Sequence, residues 1–237
     1  MNILIGFYNE ILYKPLFNIL IIITDIIPTH DLGLAIIVLT LIIRFLLYPL
    51  SQKAIKSQKA MAKIQPEMKE IQKKIKDKEA QVKAIMDLYK KYQVNPFSGF
   101  VPLLIQIPIL LALYQVFVSG IKNIPDNILY SFVSKPEFLN HLFLGFLDIS
   151  KPNIYLAISV GIFTFLQVKT SIPKNKNIQN KEMDFTQALN FQMTYFMPVM
   201  TFFIATVLPA ALALYWIVVT LFQVVQQYLT KGSFEHK

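Results

Sequence analysis

Cysteine is absent from the 237-residue chain. That excludes disulfides, thiolate metal sites, a cysteine nucleophile and a lipid-carrying N-terminal cysteine. A G-x-x-x-x-G-K phosphate loop is also missing, which argues against intrinsic ATP-driven work. The three histidines, His30, His141 and His236, are scattered, with no H-E-x-x-H pattern and no paired carboxylates to hold a metal. No acidic residue falls in any long apolar run, so a proton relay or a cation site of the usual kind is not expected. An intramembrane protease would need a His/Ser or Asp/Asp pair in such runs, and none is there. These absences point to a protein that is not an enzyme and needs no cofactor.

What is present is apolar. Hydrophobic residues make up 54% of the chain, against about 45–50% in a soluble domain, and the excess lies in long runs. The expected class is therefore an all-α integral membrane protein. A net charge of +9 could suggest nucleic acid, but residues 51–95 alone carry 12 lysines and 5 acidic residues. A lysine-rich loop beside a span is first a topology signal. Its aromatic residues are not interleaved as base stacking requires, so no direct nucleic-acid function is expected. The N-terminus has neither the basic n-region and cleavage site of a secretory signal nor the Arg/Ser character of a transit peptide. A bacterial plasma membrane is the favoured location.

Residues 1–31 are interrupted by Glu10, Lys14, Pro15 and Asp25. They suggest an interfacial helix over 16–27, stopped by Pro28; an extra span over 3–27 is the competing reading. The first span is 32–50, LGLAIIVLTLIIRFLLYPL. In the following segment, 51–99, Ile64, Met68, Ile71 and Ile75 recur at helical spacing, as do Val82, Ile85, Tyr89 and Tyr92. The pattern breaks near 77–80, so a cytosolic helical hairpin of coiled-coil type fits. Its lysines serve either as a solvated, anchoring face or as a docking surface for ribosome, RNA or anionic lipid. A turn at 95–99 leads to the second span, 100–118. The loop 119–153 is charge-balanced, the third span is 154–168, and 169–190 is polar.

From residue 191 to 229 there is no charge for 39 residues. One straight helix of that length would reach about 58 Å, roughly twice a bilayer core. A hairpin at Pro209 divides it into a fourth span, 191–208, and a fifth, 210–229, with a tail at 230–237. The lysine bias at each loop places the N-terminus outside and the C-terminus in the cytoplasm.

One full charge interrupts the first span: Arg44, with Thr40 one turn earlier on the same face. An arginine in hydrocarbon costs at least ~2.5–3.5 kcal/mol. Either it snorkels towards the residue-50 end or it belongs to a functional site. In the fifth span Trp216, Thr220, Gln223 and Gln227 form one polar stripe, read as helix–helix hydrogen bonding or as a wall facing water. Thr164 and Gln167 share a face of the third span.

These residues, in this order, resemble the YidC/Oxa/Alb family of membrane-protein insertases. The resemblance is carried by PLFNIL at 15–20, the run 33–50, MAKIQPEMKEIQKK at 61–74 and LYKKYQVNPFSGFVPLLIQIPILLALYQV at 88–116. It continues in FLQVK at 165–169 and PAALALYWIVVTLFQVVQQYL at 209–229. It implies five transmembrane helices around a hydrophilic groove, open to the cytosol and closed outside. The groove arginine falls on Arg44 and the threonine before it on Thr40. The last-span aromatic that faces this threonine falls on Trp216 with Tyr215 beside it, and the third-span polar residue on Gln167. Gln106 and Thr220 are further lining candidates. The implied partners are nascent membrane-protein substrates and the bilayer; a Sec-type translocon and the ribosome remain open. Arg44 is expected to be reached by water, to attract acidic segments weakly and to release them. Only 1–31 precede the first span, so the expected form is a short one without a long outer domain. The alternative is a small-anion channel or transporter using Arg44, which predicts a through-pore or inverted repeats; no internal repeat is visible.

Overall fold

The computed structural model describes residues 2–95, 101–120, 124, 128–136, 138–171 and 191–232. The expected turn beyond residue 95, most of the loop 169–190 and the end of the tail lie outside the described residues. The chain divides into two compact units, Met1–Leu46 with Ile107–Val225, and Leu47–Gln106 with Gln226–Lys237.

The first unit opens with helix α1 (Asn2–Tyr8), a π-helical turn (Asn9–Tyr13) and α2 (Lys14–Ile26). Helical backbone thus starts well before residue 16. The Lys14 ammonium pairs with Glu10 one turn away at 2.7 Å, which offsets the two charges that interrupt the apolar pattern. The wide turn has a local cause. Pro15 offers no N–H to the carbonyl four residues back, and its ring would clash there. Lys14 N–H instead donates to Asn9 O, five residues back. The same device recurs at Pro198, where Met197 N–H donates to Gln192 O. There a π-helical turn (Gln192–Phe196) precedes α8 (Met197–Val207).

Helix α2 packs on α3 (Leu32–Leu46); Tyr13 of the preceding turn and Leu16, Phe17, Leu20 and Ile21 of α2 are buried, as are Leu32, Ala35, Ile36 and Leu39 of α3. Asn18, 1% exposed, ties α2 to the segment after α6 (Val101–Gly120). Its amide donates to Ile128 O at 2.9 Å and its carbonyl accepts from Tyr130 N–H at 2.8 Å.

Asp31 fixes the start of α3. One carboxylate oxygen accepts from Gly33 N–H at 2.8 Å and Leu34 N–H at 3.1 Å, an N-cap. The other accepts from Leu144 N–H at 2.7 Å. Leu144 joins β1 (Leu142–Phe143) to β2 (Leu147–Asp148) at φ +54°, a left-handed conformation that costs a non-glycine residue about 1–2 kcal/mol. The same loop caps α9 (Ala210–Gly232). Ala210 N–H donates to Lys151 O and Ala211 N–H to Ile149 O, both at 2.9 Å. Between them Ser150 and Lys151 bond the Asp148 carboxylate and hold its pKa down to about 2.

Helix α7 (Ile154–Ser171) crosses α8 closely. A Cβ at Gly161 would lie 3.2 Å from Phe202 Cβ and 3.4 Å from Pro198 O. Ala157 and Val160 of α7, Ala205 of α8, and Ala213 and Ile217 of α9 form one core. Small residues at such crossings let helices approach where no hydrophobic effect drives them together.

The second unit contains α4 (Tyr48–Lys74) and α5 (Lys78–Lys91). Asp77 caps α5 by accepting from Ala80 N–H at 2.9 Å. Ile64, Leu88 and Val94 form the core of the pair, with Met68, Ile71 and Tyr89 against it. Val82, expected on the buried stripe, is 60% exposed. Gln81 turns inward instead, its amide donating to Gln72 O and Ile75 O at the end of α4. That sets the rotation of α5 and brings Leu88 into the core. Tyr92 hydroxyl donates to Glu67 across the pair.

By length and composition, α7 and α9 are each able to cross a membrane among the described residues, and α3 with α4 makes a third if the bent pair is one span. Leu104–Val118 and Thr194–Val207 are shorter apolar helices.

A Cβ at Gly33 would fall 2.4 to 2.8 Å from Cδ2, Cγ and Cβ of Phe143. Gly33→Ala should therefore destabilise the protein by about 1–3 kcal/mol through overpacking. In detergent, its melting midpoint should fall, and the loss should shrink in a Phe143→Ala background. Equal losses in both backgrounds would mean that this contact does not hold the β-hairpin on α3.

Candidate functional site

Arg44 is 6% exposed within the first unit. Its guanidinium donates a hydrogen bond to the phenol of Tyr215 on α9. The next residue, Phe45, meets Phe222 edge-on, with ring centroids 5.4 Å apart. Helices α3 and α9 run parallel, because both begin at the same loop: Leu32 N–H donates to Asn140 O, and Ala210 and Ala211 to Lys151 and Ile149. Tyr215 precedes Phe222 by two turns, about 10 Å of rise. The Arg44 head therefore reaches back towards the loop end of the two helices. A side chain snorkelling towards residue 50 would point the other way. The 6% exposure also differs from the expected water-reached cation: in this arrangement neighbouring side chains cover it.

Thr40, one turn before Arg44, is buried, and its hydroxyl donates to Ile36 O at 2.6 Å. Thr220 is likewise buried and donates to Ile217 O at 2.9 Å. Trp216, about 100° round the helix from Tyr215, packs on the core shared by α7, α8 and α9. Tyr215 thus faces α3 and Trp216 faces α7 and α8. Gln167 is half-buried on α7, where its backbone carbonyl accepts from the hydroxyls of Thr170 and Ser171, both at 2.8 Å. Gln106 is half-buried in the second unit. The structure brings Arg44 and Tyr215 together; the described hydrogen bonds of Thr40 and Thr220 stay within their own helices.

Two positions escaped the sequence reading. Asp31 drew no reading of its own, although Asp before an apolar helix start is an N-cap signal. Asn18 carried no such signal, since the Ile128 and Tyr130 groups that it ties to α2 lie over a hundred residues away. Among the described residues no group of three or more His, Asp or Glu side chains could hold a metal ion.

The family model described as 60Kd inner membrane protein matches residues 22–237. A membrane protein insertase YidC of Oceanobacillus iheyensis is 36% identical over 230 residues, covering 94% of this chain and 83% of the relative. The membrane protein insertase YidC 2 of Listeria innocua is 35% identical over 237 residues, covering 98% of this chain and 75% of the relative. A crystal structure of an active YidC insertase with its first transmembrane domain resolved superposes with a TM-score of 0.61 at 29% identity. That likeness covers 93% of this chain and 46% of the other, so the chain spans about half of that molecule. A helical membrane protein that matches these proteins over nearly its whole length belongs to the 60Kd inner membrane protein family, the family of the YidC insertases.

Proposed function

We propose that this protein is a membrane protein insertase and chaperone. It admits hydrophilic segments of nascent membrane proteins to a polar site around Arg44 and releases their apolar helices sideways into lipid. The observation that carries this reading is a guanidinium 6% exposed, partnered by a phenol, inside apolar helices. Residues 32–50, 101–120, 154–171 and 191–232 contain no Asp or Glu, so no carboxylate of these segments neutralises it. Such a cation attracts an acidic segment more strongly than it would in bulk water, because the local dielectric is lower. Access requires the side chains over Arg44 to part.

In this reading five spans (α3, α6, α7, α8 with its preceding turn, and α9) surround a groove open to the cytoplasm. The N-terminus lies outside, and α4 and α5 form the cytosolic hairpin. The site shortens the apolar path that a polar segment must cross. Partition of the substrate's own helix into lipid and the membrane potential on acidic segments drive the step. No covalent bond is made.

The charge series tests this first. In liposomes, Arg44→Glu should impair insertion of substrates with acidic translocated segments, and Arg44→Lys should largely preserve it; normal insertion by Arg44→Glu would remove the electrostatic role. The access route has its own test. Arg44→Cys in this cysteine-free chain should react with an impermeant thiol reagent from the cytoplasmic side alone. Reaction from both sides would favour the anion-channel reading, and no reaction would remove the groove.

The Arg44–Tyr215 bond makes a separate prediction. Tyr215→Phe should cost about 1.5–3 kcal/mol, the range for a hydrogen bond to a charged group. In a double-mutant cycle with Arg44→Leu in detergent, the two losses should be less than additive. Additive losses would mean that the pair does not interact.

A further inference from the structure

Six threonines are buried among the described residues: Thr24, Thr40, Thr164, Thr201, Thr220 and Thr230. Five of them donate their hydroxyl to a carbonyl three or four residues back on their own helix. Thr164 does not. It is 6% exposed, and its Oγ1 is buried with no hydrogen-bond partner among the described residues. A buried hydroxyl left without a bond costs about 1–3 kcal/mol, a penalty that an apolar isostere avoids. Valine has the same shape and would fit the face that Ala157 and Val160 continue.

The level of Thr164 in the unit supplies the second argument. Helices α7 and α9 start at the loop in which Lys151 O and Ile149 O cap α9. Thr164 lies ten residues into α7 and Thr220 ten residues into α9, about 15 Å of rise in each. Arg44 lies twelve residues into α3, about 18 Å from a start bonded to the same loop. Three polar positions on three helices thus share one depth, and Gln167 follows Thr164 by one turn.

We propose that the Thr164 hydroxyl is a binding contact for the backbone of the hydrophilic segment in transit. The proposal rests on the insertase reading and deepens it. An extended segment at membrane depth carries unpaired backbone N–H and C=O groups, each costly in hydrocarbon. A hydroxyl can donate or accept, so it serves either group whatever the sequence. Arg44 selects by charge; Thr164 supplies a neutral bond that any polar segment can use.

The test uses the full chain in phosphatidylethanolamine/phosphatidylglycerol liposomes and two single-span substrates, one with a Ser/Asn/Gly segment and one with an acidic segment. Thr164→Val should slow insertion of both about three- to tenfold, a neutral hydrogen bond's worth. Its melting midpoint should stay level or rise, and Thr164→Ser should restore the rate. Arg44→Glu should affect the acidic substrate selectively, which separates the two roles. A Thr164→Val protein that inserts both substrates at the wild-type rate overturns the proposal. So does one whose rate per folded molecule is unchanged while its midpoint drops, because the hydroxyl is then structural. As a second readout, Thr164→Cys should form a disulfide with a cysteine in the substrate's hydrophilic segment; crosslinks confined to the substrate's apolar helix count against the contact. Loss of insertion by the wild-type chain itself would remove the insertase reading and this proposal together.

Discussion

Arginine keeps its charge in proteins, and here that charge is enclosed by helices whose apolar segments contain no carboxylate. Taking a cation out of water costs several kcal/mol even after the surroundings relax. The fold meets part of that cost with one phenol. Tyr215 reaches Arg44 only because α3 and α9 run side by side in the same direction. That arrangement depends in turn on a single loop holding the first turns of both helices.

The loop answers a second constraint of low dielectric. The first four N–H groups of a helix have no partner inside it, and unmet backbone groups are costly away from water. Asp31 satisfies two donors of α3 and one of the β-hairpin turn. Lys151 and Ile149 carbonyls satisfy two donors of α9. The prolines pose the converse problem, a missing donor within a helix. At Pro15 and Pro198 the backbone widens into a π-helical turn just before the ring, so the preceding N–H finds an acceptor five residues back. These local adjustments keep apolar helices continuous where the sequence would otherwise break them.

The apolar runs and the lone cation among them were legible in the sequence, because periodicity and charge depend on neighbours along the chain. The uncharged run ending at residue 229, the proline at its middle and the single cation at Arg44 required no partner to be seen. What was not legible depends on rotation and on distant contacts. Val82 sits at the right spacing for the buried stripe of α5, yet Gln81 takes the inward position by capping α4. A shift of one residue turns a helix by about 100°, and only the partner helix decides it. The resemblance placed the aromatic that faces Thr40 on Trp216, with Tyr215 beside it. Adjacent residues on a helix cannot share a face, and the phenol is the one that reaches Arg44.

The neutral partner has a consequence for turnover. Had a carboxylate paired with Arg44, an incoming acidic segment would first have to displace a like charge from a buried pair, and breaking such a pair costs about 3–5 kcal/mol. A phenol exchanges for a carboxylate at the cost of one hydrogen bond to a charged group, about 1.5–3 kcal/mol, repaid when the new bond forms. In the proposed mechanism the exchange would therefore stay near balance in both directions. This is what a transient site needs: enough attraction to draw a polar segment in, and a resident side chain ready to take the guanidinium back when the segment leaves.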